Sequence, residues 1–315
     1  MDLIDKKILC ELDLNCRTPI SKIAKKLRIA RNVVDYRVRR MEEERIITGY
    51  ICTVNLGLLG YKTFKVFYKV NQIEEQLFVK HLVESPKVIN LLKTEGYYDY
   101  ASAIAVKKVE ELDDFLMDLG SKFKCIRDYD ISILLYTKIY KMNKMMLQEK
   151  EYVIKDRRYS GEATETSLNE KDISILKAIS KNANISITEI ARKTSLGLDV
   201  IKYRLKQLNN KVISSNRVMI DFTKMGYHHY VIMLRMKQYT KHDQEKLDYW
   251  CSVRPNVLYY GKRIGHFDFE INVAIKDLEE LNQLLNDLKT EFFQVTDHYE
   301  LVLNRKLLKL NYLPF

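Results

Sequence analysis

The feature that most constrains this 315-residue chain is that it contains one unit twice. Displacing the sequence by 167 residues sets Asp172 on Asp5, Asn182 on Asn15, Ile187 on Ile20, Ile190 on Ile23, Ala191 on Ala24, Tyr203 on Tyr36 and Arg204 on Arg37. Past Lys211 the second copy is one residue shorter. "DFTKMGY" at Asp221 then falls on "NLGLLGY" at Asn55, and "GHFDF" at Gly265 on "GYYDY" at Gly96. The coincidences lie on apolar and turn positions, so the two copies share one hydrophobic pattern and one fold. A single core does not accommodate such a chain, and two or more domains follow.

Each copy divides again. Ile4, Ile8, Leu9 and Leu12 recur at helical spacing; Ile20, Ile23, Ala24 and Leu27 make a second short helix, and Val34, Val38 and Met41 a third. Three short helices in about fifty residues, the last two joined by the tight "RIA" segment, form a helix-turn-helix pattern. The period then changes to two. In "TFKVFYKV" Phe64, Val66, Tyr68 and Val70 share one strand face, and Lys65, Phe67 and Lys69 the other. A helix to Glu84, strands near 88–94 and 98–106, a helix near 109–123 and a strand near 126–136 complete a βαββαβ order, repeated from about His228 to Asn304. The expected class is α+β: two winged helix-turn-helix domains (1–55 and 167–221) and two ferredoxin-like βαββαβ domains (60–138 and 226–305), with a linker at 139–166. That linker loses periodicity and ends in the polar "SGEATETS", which has too little apolar content to offset its ordering entropy.

Charge and cysteine usage narrow the function. The chain has 53 Lys+Arg against 42 Asp+Glu, a formal +11, which favours a polyanionic partner. Its longest apolar runs, such as "YVIMLRM" at Tyr230, fall far short of the roughly 20 residues of a membrane span. The amino terminus shows no basic segment followed by an apolar one, which predicts a cytoplasmic protein. Cys10, Cys16, Cys52, Cys125 and Cys251 form no CxxC pair and no zinc pattern. They read as reduced, mostly buried small residues. His228 and His229 have no companion ligands and read as strand-surface residues; no cofactor or metal is expected.

With Val34, Val38 and Met41 turned inward, the third helix presents Arg31, Asn32, Asp35, Tyr36 and Arg39 outward, with Arg40 flanking. Arginine can bind guanine and asparagine adenine through two hydrogen bonds each, while Lys22, Lys25, Lys26, Arg28 and Arg37 are placed for phosphates. The second copy offers Lys202, Tyr203, Arg204 and Lys206. A charged helical pair alone is more often a solvated face; the trihelical spacing, the cation-rich third helix and the second copy favour double-stranded DNA.

The stretch from "DKKILCELDLNCRTPISKIAKKL" to "RRMEEERIITGY", together with "GYYDY", resembles the Lrp/AsnC (feast/famine) family of transcriptional regulators. The resemblance implies transcriptional control, an effector-binding (RAM) βαββαβ domain, dimers built by packing those sheets, and an amino acid often bound. It also implies that Gly96 and Gly265 bring backbone amides to a ligand, that Asp99 and Asp268 receive an ammonium group, and that Tyr98 and Phe267 line the site with Tyr97 and His266. A β-turn glycine with a capping aspartate accounts for the same residues. Two departures stand out. Arg45 replaces the glycine that usually closes the third helix, with Lys211 at the shortened turn of the second copy, so altered turn geometry is expected. Ala30 and Gly197 replace the usual serine cap. Fused pairs of this architecture also resemble siroheme decarboxylases, with Arg263 and His266 near the relevant region, and a co-regulator that pairs with other family members through its sheets is a third reading. A linker of about thirty residues holds the two units near millimolar effective concentration, predicting an intramolecular pseudo-dimer that can assemble further.

Overall fold

The computed structural model describes residues 1–147 and 166–315. The first copy runs α1 (Leu3–Leu14), α2 (Ile20–Leu27), α3 (Arg31–Glu43), β1 (Ile47–Val54), β2 (Lys62–Val70), α4 (Glu75–Glu84), β3 (Val88–Glu95), β4 (Tyr100–Val106), α5 (Glu110–Lys122) and β5 (Ile126–Ile139). After α6 (Asn143–Leu147) the second copy gives α7 (Glu170–Ser180), α8 (Ile187–Thr194), α9 (Leu198–Lys211), β6 (Ile213–Ile220), β7 (His228–Met236), α10 (Lys241–Val253), β8 (Val257–Gly265), β9 (Phe269–Ile275), α11 (Leu278–Phe292) and β10 (Thr296–Leu310). A short 3-10 helix links each helical domain to its sheet, at Leu56–Leu59 and Phe222–Met225. None of the described helices is long and apolar enough to cross a membrane.

The two four-stranded sheets close into one eight-stranded barrel, in the order β10-β3-β4-β2-β5-β8-β9-β7. Closure comes from the two terminal strands, each of which changes partner midway. Residues Ile126 to Ile133 of β5 pair with β2, and Ser132 to Ile139 pair with β8 of the other copy. Likewise Thr296 to Leu303 of β10 pair with β7, and Leu303 to Leu310 with β3. The pseudo-dimer is therefore formed inside one chain, and barrel closure leaves these sheets no free edges.

The faces that meet are not the ones the alternation pattern singles out. Phe64, Val66 and Tyr68 pack beneath α4 and α5 with Phe78 and Leu116, and Ile232, Leu234 and Met236 pack in the same way with Trp250 and Leu284. The opposite faces meet inside the barrel, where Phe67, Tyr98, Ala101, Val231, Met233, Phe267 and Val302 fill one end. The other end is polar. Lys65, Arg263, Glu270 and Asn272 are buried there around a cavity of about 700 Å³. His229 lines the same cavity, its Nε2 3.0 Å from Asn272 Oδ1, and is not a strand-surface residue; His228 is exposed.

The expected linker at 139–166 begins with ordered structure. Ile139 ends β5, and Tyr140, Met142, Met145 and Met146 are buried, so the methionines that break the sequence period fill the core beside α1. Lys144, 2% exposed, donates to the carbonyls of Cys251 (3.0 Å) and Ser252 (2.9 Å) on α10. This segment ties the first helical domain to the second sheet domain. Residues 148–165, with most of "SGEATETS", lie outside the described residues.

Burial holds the His229 imidazole down to about 4, against an ordinary value of 6.5. In the unfolded chain the ring takes up its proton at the higher value, so between the two values the unfolded state binds more protons and stability is lost as pH falls. Melting temperature should therefore drop more steeply from pH 6.5 to 4 in the natural chain than in His229→Gln. Parallel pH profiles for the two proteins would contradict this.

Candidate nucleic-acid interface

The helical domains are joined by β1 and β6, which pair antiparallel in a two-stranded ribbon with Tyr50 opposite Val218 and Cys52 opposite Asn216. Equivalent hydrogen bonds repeat about this ribbon. Cys16 N–H donates to Asn216 O and Ala183 N–H to Tyr50 O; Asn55 N–H donates to Val212 O and Asp221 N–H to Ile46 O. The contact is thus nearly isologous, as in a two-fold dimer. Side chains break the symmetry, as where Asp13 on α1 and Arg217 on β6 form a buried ion pair at 2.5 Å.

Each recognition helix sits on its helical domain as its period requires. Val34, Val38 and Met41 of α3 and Ile201, Leu205 and Leu208 of α9 are buried. The turns entering them pass through left-handed, non-glycine residues, Arg28 (φ 56) and Ser195 (φ 57). Neither Ala30 nor Gly197 supplies a side-chain cap; in α3 the Val33 N–H that a serine would satisfy donates instead to Asn32 Oδ1 at 3.0 Å. At the far end of α3 the expected change of geometry does not occur: Arg45 adopts the left-handed conformation at φ 57 despite its side chain. In the second copy the deletion removes that residue, and Val212 caps α9 in right-handed geometry at φ −110.

On the outward face Arg31, Asn32 and Arg39 are exposed and Tyr36 is 64% exposed; Asp35 is half-buried and pairs with Arg39 at 2.9 Å. Lys22, Lys25, Arg28 and Arg31 have no ion-pair partner among the described residues, whereas Lys26 pairs with Glu11 at 2.6 Å. Arg37 and Arg40 stand elsewhere. Asp5, 1% exposed, accepts from Arg37 at 2.8 Å and from Arg40 at 2.7 Å, and Asp2 accepts from Arg37 at 2.6 Å. The same Asp5 closes the capping box of α1 with Asp2. These arginines brace α3 against α1 and hold the outward face in place. In the second copy Arg204 approaches Asp172 at 3.6 Å, Lys202 pairs with Asp199 at 3.2 Å, and Lys206 and Tyr203 are exposed. The bracing was legible in the repeat, since Asp172 falls on Asp5 and Arg204 on Arg37.

The glycine loops lie on the seam between the copies. A side chain on Gly96 (φ 125) would come within 2.8 Å of the Leu301 carbonyl, and one on Gly265 (φ 146) within 2.8 Å of Ser132 Cα. Asp99 accepts the Val70 N–H and Asp268 the Met236 N–H, each at 2.8 Å. Tyr98 and Phe267 are buried, with the Tyr98 hydroxyl on Asp130 at 2.5 Å. Turn and cap account for these residues as they stand; Tyr97 and His266 remain exposed beside them.

Two winged heads on a closed double-sheet barrel define a tandem helix-turn-helix protein. A sequence profile described as winged helix-turn-helix DNA-binding matches residues 1–48 and 168–211. The HTH-type transcriptional regulator Ptr1 of Methanocaldococcus jannaschii is 33% identical over 121 residues, which are 38% of this chain and 80% of that protein. The regulator FL11 of Pyrococcus furiosus is 31% identical over 122 residues, again 38% of this chain and 81% of the relative. This chain belongs to the Lrp/AsnC family of transcriptional regulators. Over its whole length it is also similar to the solved siroheme decarboxylase NirDL in complex with an iron-uroporphyrin III analogue, with TM-score 0.64 at 15% identity, covering 99% of this chain and 94% of that one. That likeness is one of fold.

Replacing Asp5 by alanine removes one half of the α1 capping box, the acceptor of the Asp2 N–H, and the shared acceptor of two arginines, and should lower stability by about 2–3 kcal/mol. Exposed Lys25→Ala should stay within about 0.5 kcal/mol. Urea unfolding of the two variants checks this; equal midpoints would show that the Asp5 cluster contributes nothing to the head.

Proposed function

We propose that this chain is a sequence-specific DNA-binding transcriptional regulator that presents two heads from one polypeptide. The observation that carries the reading is the outward face of α3, where Arg31, Asn32 and Tyr36 stand exposed beside Lys22 and Lys25 of α2, which have no ion-pair partner among the described residues. Family membership points the same way, and the regulators Ptr1 and FL11 are named for such control.

The heads differ where bases would be read. Arg31 and Asn32 of the first correspond to Leu198 and Asp199 of the second, and Asp35, Arg39 and Arg40 to Lys202, Lys206 and Gln207; Tyr36 and Tyr203 agree. Leu198 is 44% exposed and the carboxylate of Asp199 is repelled by phosphate, so the second head attracts DNA through Lys206 and Lys202 with little base readout. An identical-subunit dimer copies its symmetry into its operator, and a fused pair is released from that demand. The operator in this reading has one specified half and one permissive half, about one helical turn or roughly 34 Å apart, or a multiple of it.

A second reading, tetrapyrrole chemistry, is favoured by the end-to-end likeness to NirDL. Absorbance of the purified protein after incubation with siroheme separates the two, because a decarboxylase changes that spectrum and a regulator leaves it unaltered.

Affinity for duplex DNA should fall with salt by roughly 0.9 log units per log unit for each neutralised phosphate. Arg31→Ala should cost about 1–3 kcal/mol and relax preference at one base pair, while Lys25→Ala weakens binding to all sequences alike. Binding that is flat with salt would refute the proposal. An equal loss on every sequence for Arg31→Ala would restrict that residue to the DNA backbone.

A further inference from the structure

The polar end of the barrel is built with more donors than acceptors. Both oxygens of Glu270 are committed, one to the Arg263 guanidinium and the other to Asn272 Nδ2 at 2.9 Å. The Asn272 carbonyl faces His229, which also has Asn304 Nδ2 within 3.3 Å. On the donor side, Lys65 Nζ lies 3.9 Å from Glu270, beyond hydrogen-bond distance, and has no hydrogen-bond acceptor among the described residues. Arg263 Nε is buried without a partner. Burial, with the nearby Arg263 charge, pushes the Lys65 ammonium below its usual range, and Glu270 offsets this only in part.

The charges around the cavity do not cancel. Lys65, Arg217, Arg263, Arg305 and Lys306 line it against Glu270 and Asp221. Arg217 is paired with Asp13, Arg305 with Glu95 and Arg263 with Glu270, and Asp221 at the rim is occupied by Thr223. The surplus inside is one cation, Lys65, which shares Glu270 with the Arg263 guanidinium. The rest of the lining is largely apolar, including Ile51, Ile89, Leu134, Ile139 and Val218. At about 700 Å³ the space falls in the range of roughly 300–1,000 Å³ typical of small-molecule pockets. Exposed Thr48, Thr223 and Lys306 stand on its lining, so it opens to solvent.

We propose that this cavity binds a small monocarboxylate with an apolar body, its carboxylate received by Lys65 Nζ beside the Arg263 guanidinium and its body lying on the apolar wall. A buried ammonium without an acceptor is costly, and a carboxylate supplies both the missing charge and the missing lone pairs. A single surplus charge matches a monocarboxylate better than a polyphosphate. The site lies between the copies and uses residues from both, Lys65 from the first and Arg263 from the second, so a single unit does not contain it.

The test is isothermal titration of the full chain with decanoate and with its uncharged isostere decanamide. One decanoate should bind per chain, with decanamide weaker by about tenfold or more. Lys65→Met should weaken decanoate by about tenfold, whereas Glu270→Gln, which removes the competing carboxylate and frees Arg263, should tighten it. A variant that merely loosens the barrel cannot produce tightening, so opposite signs for the two substitutions identify the site. No decanoate binding, equal binding of the two probes, or loss in both variants would overturn the proposal.

Discussion

The structure depends on the two terminal strands that change partners. β5 leaves β2 at Ile133 and continues beside β8; β10 leaves β7 at Leu303 and continues beside β3. A strand can do this only if the neighbouring sheet comes close enough at the crossing, where a Cβ on Gly96 or Gly265 would collide with backbone. Both glycines also hold positive φ, a region that other residues enter at a cost of order 1 kcal/mol or more. Closing the barrel hides the edges of both sheets and buries Phe67, Met233 and Phe267 against one another. It also brings Lys65 and Glu270, from different copies, into one cavity. Gly96, Gly265 and their partner aspartates therefore serve the seam.

Fusion has preserved the two-fold contacts and relaxed the rest. The reciprocal backbone hydrogen bonds of the ribbon persist because backbone amides are insensitive to sequence drift. Side chains have diverged around them. Asp13 and Arg217 form an ion pair with no counterpart, since Ser180 stands at the position equivalent to Asp13. Arg17 spans from the first head to the carbonyls of Ala183 and Ile185. The recognition helices have diverged further, which a symmetric dimer cannot do because any change appears in both subunits at once.

Much of this was legible in the sequence, for identifiable reasons. The helical heads follow from apolar residues at period 3.6, and Val34, Val38 and Met41 are buried as that period demands. The βαββαβ order follows from the change of period and the internal repeat. What was not legible depends on long-range pairing. The run from Tyr136 to Ile139 is strand because β8 lies beside it, and α6 is ordered because its methionines find a core. Which strand face meets the other copy was obscured because both faces are apolar over much of their length. The polar interior left one signal, Glu270 and Asn272 alternating within the otherwise apolar "FEINVAI", and Lys65 on the matching face of β2. The arginines of α3 misled because charge in sequence does not say whether a partner waits behind it. Arg31 has none among the described residues, and Arg37 has Asp2 and Asp5.

Closure of the barrel within a single chain pairs the two copies, makes the cavity and allows the copies to differ. It is tested most directly by mixing isotopically light and heavy protein after co-refolding, cross-linking with an amine-reactive reagent, and reading the pair Lys138 and Lys262, which lie on the paired strands β5 and β8. The account predicts that this cross-link joins light to light and heavy to heavy, with no mixed product at that pair, whatever larger assembly the chains form. Mixed light–heavy product at Lys138 and Lys262 in statistical proportion would show that the strands are exchanged between chains and that the single-chain pseudo-dimer is wrong.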